Sequence, residues 1–198
     1  LVYRSSWGSA AAGLLTFVSA LFIPLQYTIF LGAGLSLLLF IGTSASHIRL
    51  YQLVRGEDGY WQEKDLAAVF PSNQATVVAY EGANFFAEVP AVMNKMPSLE
   101  SVTNAVVIWR LRSVQETHST FLKQLSTFAK KAQAGGNRFM LEGVEARVMT
   151  TLEKTGILDE IGRDNVFPEQ PGLVAALDAS WAEAQTWLKA KSAEAIGN

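Results

Sequence analysis

The chain of 198 residues contains no cysteine. Disulfide staples, cysteine-ligated zinc and thiol nucleophiles are therefore excluded. Histidine is nearly missing too. His47 and His118 are far apart, and neither has acidic or histidine companions at metal-ligand spacing. Each reads as a surface or helix-start residue, so neither a metal nor a cofactor is expected. The phosphate-cradling patterns G-x-G-x-x-G and G-x-x-x-x-G-K-[ST] do not occur, nor does the nucleophile elbow G-x-S-x-G. The paired carboxylates Glu57-Asp58 and Asp159-Glu160 sit in polar stretches beside glycine and read as solvated loops. Nothing in this inventory supports an enzyme. Lysine and arginine total 16 against 18 acidic residues, which leaves no basic excess for nucleic acid.

The absence that says most is one of charge. From Ser5 to Ser46 there is no Asp, Glu, Lys, Arg or His. A soluble surface needs solvating, whereas lipid or the interior of a membrane protein selects for such a run. Pro24 and Gln26 interrupt it. Ala10–Ile23 and Leu25–Ile41 form two helical stretches of about 21 Å and about 26 Å at ~1.5 Å per residue. Each is shorter than the ~30 Å hydrocarbon core, and one straight helix through both would be about 48 Å, which is too long. Pro24 also lacks the N–H a helix interior needs and biases Ile23 away from helix. Two short transmembrane helices broken at Pro24 are expected, in a bundle where neighbouring helices satisfy the backbone. Gly8, Ala12 and Ser19 in the first, and Gly32, Gly34 and Ser36 in the second, mark close packing. A buried helical hairpin of a large soluble protein is the alternative. Leu1 takes the place of an initiating Met, and no Lys/Arg-rich start precedes the apolar run, so a secretory leader is not the reading. The expectation is a fragment of a longer protein. His47, Arg49 and Arg55 follow the run at once, which favours a cytoplasmic position for what comes next.

Residues 1–50 carry only Arg4 and Arg49, a charge of +2, and the remainder carries 14 − 18 = −4. That remainder reads as a water-soluble α/β domain over residues 66–196, after a linker at 51–65 with a turn-rich Gly56–Gly59. Ala75–Tyr80 is a β-rich run, with a weaker candidate strand at Leu66–Phe70. Ala105–Leu111 is apolar almost throughout, as in a central strand covered on both faces. Phe139–Val144 is another strand. Val89–Met96 is a short helix with Pro90 near its start. Ser119–Ala134 places Phe121, Leu122, Leu125, Phe128, Ala129 and Ala132 on one face and ends at Gly135-Gly136. Glu145–Thr155 and Leu173–Lys189 are further helices, the last with Trp181 and Trp187 as packing anchors. Alternation of this kind implies βαβ units and a mostly parallel sheet with helices packed on it.

Two stretches resemble a known family. F-I-P-L-Q-Y-T-I-F-L-G-A-G-L-S-L-L-L-F at Phe22–Phe40 is similar to the last two membrane helices of the SulP (solute carrier 26) anion transporters. The soluble part resembles the STAS domain (sulfate transporter and anti-sigma factor antagonist) that follows those helices. The residues that carry this are E-G-A-N-F-F-A-E-V-P at Glu81–Pro90, A-V-V-I-W-R-L at Ala105–Leu111, H-S-T-F-L at His118–Leu122 and T-G-I-L-D-E-I-G-R-D-N-V-F-P at Thr155–Pro168. The resemblance implies residues 1–50 as the end of a transport domain and a STAS module that regulates, stabilises or dimerises the transporter. It implies a multi-pass protein of the cell membrane that moves an inorganic anion such as sulfate. The anion site would lie upstream, so no substrate-binding residue is assigned here.

In anti-sigma factor antagonists an acidic residue, two hydroxyl residues and a glycine open a helix, and the second hydroxyl is phosphorylated. The matching positions here are His118, Ser119, Thr120 and Phe121, with Thr120 in the phosphorylated place. His118 replaces the acidic residue and Phe121 the glycine. The bland reading is that Ser119 or Thr120 caps the helix through its side-chain oxygen. Phe85 and Phe86 are an interface candidate, toward the membrane domain or a partner subunit, with burial in the core as the alternative. Two functions from different classes follow: a transporter's C-terminal part, with its own membrane domain, a second copy and a cytosolic regulatory protein as partners, or a membrane-tethered signalling module of the antagonist type.

Overall fold

A computed structural model describes residues 7–22, 24–44, 49–81, 89–112, 114 and 117–196. The chain divides into two compact units, Leu1–His47 and Ile48–Asn198.

The first unit is a pair of helices, α1 (Trp7–Phe22) and α2 (Leu25–Ser44), which pack against each other. Pro24 lies between them, and its carbonyl accepts the N–H groups of Tyr27 at 2.9 Å and Thr28 at 3.4 Å, which opens α2. The break therefore falls where proline chemistry requires it. Thr28 is buried, and Gly32, Leu35 and Leu39 are partly covered, a stripe at helical spacing. At Gly32 a side chain would meet the Thr16 methyl at 3.3 Å, so the glycine permits the close approach of α1. Among the described side chains of the pair, Phe17, Leu21, Phe22, Tyr27, Phe30, Leu37 and Leu38 are exposed. Both predicted helices form, but among the described residues no helix is long and apolar enough to cross a membrane.

The second unit is built on a six-stranded sheet in the order β2-β1-β3-β4-β5-β6. The strands are β1 (Arg49–Arg55), β2 (Trp61–Asp65), β3 (Ala75–Glu81), β4 (Val106–Arg110), β5 (Arg138–Val144) and β6 (Val166–Pro168). The pairs from β3 to β6 are parallel, and β1 runs antiparallel to both its neighbours. The sheet is thus mixed, with a parallel majority. Residues 51–65 are not a linker. They form most of a hairpin that extends the sheet, with Tyr51 opposite Asp65 and Arg55 opposite Trp61. Gly56 and Gly59 make its turn, closed by the Gly59 N–H to the Gly56 carbonyl at 3.0 Å. Leu66–Phe70, expected as a weak strand, contributes only an isolated bridge from Val69 to Ser98.

Helices α3 (Val89–Lys95), α4 (Ser119–Ala134), α5 (Ala146–Lys154) and α6 (Ile157–Ile161) cover one face, and α7 (Ala175–Ile196) the other. The six residues predicted to line α4 are the ones it buries. They meet Phe139, Trp109 and Leu141 in the larger cluster. On the opposite face Val77, Ile108 and Met140 pack under Leu177, Ala184 and Leu188 of α7. β4 lies between two paired strands with both faces covered, hence its unbroken apolar run. Burial of this kind is worth roughly 25 cal/mol per Å² of apolar surface, and it drives the order of the unit. Trp181 and Trp187 pack on the α7 side as expected, the former edge-on to Trp61 with ring centroids 5.4 Å apart.

Candidate functional site

The start of α4 is where the hydroxyl candidates sit. His118, with extended backbone at φ −101° and ψ 158°, holds the N-cap position and makes no side-chain cap. Its carbonyl accepts the Leu122 N–H at 3.1 Å, the first bond of the helix. Ser119 and Thr120 are therefore already helical, and the capping position is not theirs. A cap must stand one step earlier, in extended backbone, for its oxygen to reach the free N–H groups. Both residues are exposed at the positive end of the helix. Phe121, where the antagonist pattern has glycine, is a core anchor: its ring lies 5.7 Å from that of Trp109. Phe85 and Phe86 lie outside the described residues.

The carboxylate pairs resolve differently from each other. Glu57-Asp58 is a turn, in which Asp58 Oδ1 accepts the Tyr60 N–H at 3.1 Å. Asp159-Glu160 is not a loop but part of α6. Glu160 accepts from the Ser126 hydroxyl and from Lys130 Nζ at 3.0 Å, so it ties α6 to α4. Those two hydrogen bonds hold its carboxyl below the usual range.

A charged cluster that the sequence did not announce sits at the carboxyl ends of β4 and β5. Glu142 is fully buried, and its Oε2 accepts from Arg110 Nη1 at 3.1 Å. Among the described residues its other oxygen has no hydrogen-bond partner. Burial pushes its pKa up, against the opposing pull of Arg110 and Arg112. Arg110 Nη2 also donates to the Leu173 carbonyl at 2.9 Å, and Arg112 Nη1 to the Gly172 carbonyl at 2.7 Å. Arg112 pairs in addition with Glu169 at 3.4 Å. Two arginines thus fasten the segment that leads into α7. Gly143 is required here. It adopts φ +72°, and a side chain on it would come within 2.9 Å of Arg112 Cβ. The bulge it makes between Glu142 and Val144 is the one local signal, E-G-V late in a strand, that marks the spot in the sequence.

No group of three or more potential metal ligands occurs among the described residues. Among the described residues these charged groups hold and tie segments of the fold to one another.

A model of the STAS domain family matches residues 68–170. A search of curated proteins by sequence finds no match. Among solved structures, the murine solute carrier 26 family member A9 anion transporter in its inward-facing state is similar, with 17% identity and a TM-score of 0.67. That likeness covers 93% of this chain and 30% of the transporter. A second structure of the A9 member gives 16% identity and a TM-score of 0.66, over 93% of this chain and 32% of the other. The STAS domain of a SulP transporter from Vibrio cholerae shares 28% identity at a TM-score of 0.45, over 60% of this chain and 88% of that domain. The chain thus spans about a third of the transporters it matches.

Proposed function

Because the chain belongs to the STAS domain family, with the domain preceded by an apolar helical pair, we propose that it is the C-terminal part of a secondary anion transporter of the SulP type. One observation carries the reading. The second unit numbers 198 − 47 = 151 residues, about 76% of the chain, yet the likeness to the A9 transporter covers 93%. The match therefore takes in part of the apolar pair as well as the sheet. In this reading α1 and α2 close a larger membrane bundle. Neighbouring helices and lipid cover Phe17, Phe30 and Leu38, and short helices that do not span alone are acceptable there. The sheet unit faces the cytoplasm, regulates or stabilises the transporter and contributes to a homodimer. It binds rather than catalyses. A sulfate-type inorganic anion is the cargo of the parent protein, handled by segments outside this chain.

The test is made on the full-length parent protein, in proteoliposomes. Deletion from Ile48 onward is expected to lower radiolabelled sulfate uptake, the dimer fraction, or both, relative to the intact protein at matched membrane level. If all of these were unchanged, the regulatory reading would be wrong.

A second reading draws on Ser119 and Thr120. Two exposed hydroxyls in the first turn of α4 suit a phosphate, which the helix end and its free N–H groups favour. The unit would then be a phospho-switched binding module for a cytosolic regulatory protein, tethered by the apolar pair. Mass spectrometry on protein from native cells decides. Phosphate on Thr120 or Ser119 supports this version, and unmodified peptide under all growth conditions removes it.

A further inference from the structure

β5 sends Phe139 and Leu141 into the larger cluster and Met140 toward α7. Glu142, two residues beyond Met140, lies on the α7 side as well, and it is 0% exposed. Among the described residues its Oε1 has no hydrogen-bond partner, and its Oε2 shares Arg110 with the Leu173 carbonyl. Segment 169–174 is thus held by two arginines, and one of them, Arg110, also donates to the buried Glu142 carboxylate.

We propose that Glu142 is the proton-sensitive anchor of a strap, residues 169–174, whose lifting frees the first turns of α7 from the sheet. Proton uptake by Glu142 holds the strap down, and proton loss loosens it. The reason is solvation. A carboxylate shut away from water, with one oxygen lacking a donor among the described residues, is costly as an ion and much less so as a neutral acid. Arg110 offsets only part of this, because it divides its donors between Glu142 and Leu173. When the strap lifts, water reaches Glu142 and the ion becomes tolerable.

The direction follows from linkage. The closed state holds the proton at a raised pKa, set mainly by burial and reinforced by Glu169, while the open state holds it at the ordinary one. Closure is therefore favoured in acid and weakened as pH rises through the raised value. The charged groups facing Glu142 are Arg110 from β4, Arg112 from the turn after it, and Glu169 from the strap. Tyr51 of β1 adjoins Arg110 rather than Glu142. Asp178, in the first turn of α7, is turned toward Trp61 and Arg55. Lifting uncovers Ile108 and Met140 beneath Leu177, so the open state is a minor one. None of this depends on the transport reading, only on the fold of the sheet unit.

The test is hydrogen exchange by mass spectrometry on the whole 198-residue chain in detergent micelles. Protection, corrected for intrinsic rates, is compared at about pH 5 and about pH 8. Expected is a loss of protection over residues 175–181 at the higher pH, of up to about tenfold per pH unit across the titration. Residues 121–134 of α4 serve as the reference that does not change. In Glu142→Gln the pH dependence disappears. Equal protection of 175–181 at both pH values, or an unaltered dependence in Glu142→Gln, overturns the proposal. Independently of any substitution, the Glu142 carboxyl carbon is followed by NMR in the unaltered chain. Its midpoint is expected above the ordinary glutamate value of about 4.3. A midpoint at or below that value also overturns the proposal.

Discussion

The two units of this chain handle apolar side chains in opposite ways. The sheet unit hides Trp109, Phe139, Leu141 and Leu125 almost completely, and among its described residues the exposed large apolar ones are few: Tyr60, Val69, Leu173 and Val174. The helical pair leaves Phe17, Leu21, Phe22, Phe30 and Leu38 uncovered. One unit satisfies itself, with a sheet covered on both faces. In the other, among the described residues, cover is confined to a stripe at Thr16, Thr28, Gly32, Leu35 and Leu39, of which Thr28 alone is fully buried. An uncovered apolar surface of that extent marks a place where something else belongs. Burial within the chain is therefore a test of independence, and the two units give different answers.

Substitutions can break that contrast, beginning with the largest effect. Trp109→Ala removes a ring that touches Phe121 and Phe139 and should cost about 3–5 kcal/mol, read as a lower denaturant midpoint of the sheet unit. Phe30→Ala, on the exposed side of α2, should change that midpoint by no more than ~0.5 kcal/mol. Similar losses from both would mean that the units depend on one another. Next comes Gly143→Ala, which forces a side chain into left-handed backbone against Arg112. It should cost roughly 1–3 kcal/mol by the same measurement. A pH effect follows. Glu142 has a raised pKa, so its contribution is fully present below the unfolded value and is lost as pH rises through the folded one. Urea midpoints of Glu142→Gln and the unaltered chain, compared across pH, should therefore shift in favour of Glu142→Gln on going from acid to neutral. A difference that runs the other way contradicts the burial argument. The smallest effect belongs to Glu160, whose pKa is lowered by Ser126 and Lys130. Its contribution is present above the unfolded value and lost as pH falls through the folded one. The gap between Glu160→Ala and the unaltered chain should close on acidification; a gap of constant size would show that the tie between α4 and α6 is not ionic.

Much of this fold could be read from periodicity. The stripe of α4, the apolar run of β4 and the break at Pro24 each follow from one local rule, and each is where the rule puts it. The hairpin of β1 and β2 was less legible. Its residues R-L-Y-Q-L-V-R and W-Q-E-K-D carry charge on the solvent side, and the Gly56–Gly59 turn between them resembles a linker. Leu53 and Trp61, both packed toward α7, were the available signal. β6 and α6 are only 3 and 5 residues long, too short for a period to show. The charged cluster was hidden for another reason. Arg110 and Glu142 are 32 positions apart, and only the parallel register of β4 with β5 brings them together. Burial of a charge is a property of the assembled sheet, and no window of sequence contains it.

The hairpin of β1 has a practical consequence. The family match spans residues 68–170, whereas β1, β2 and α7 lie outside that range. A piece cut to that match would leave β3 with a bare row of N–H and C=O groups where β1 had paired from Arg49–Glu81 to Leu53–Val77. It would also strip the cover from Val77, Ile108 and Met140. Such a piece is a template for its own aggregation, an unprotected β-edge beside an open apolar face. The shortest segment expected to stay dispersed in water runs from Arg49 to Ile196, because only there does the sheet end on the charged strand Trp61–Asp65 and keep its lid.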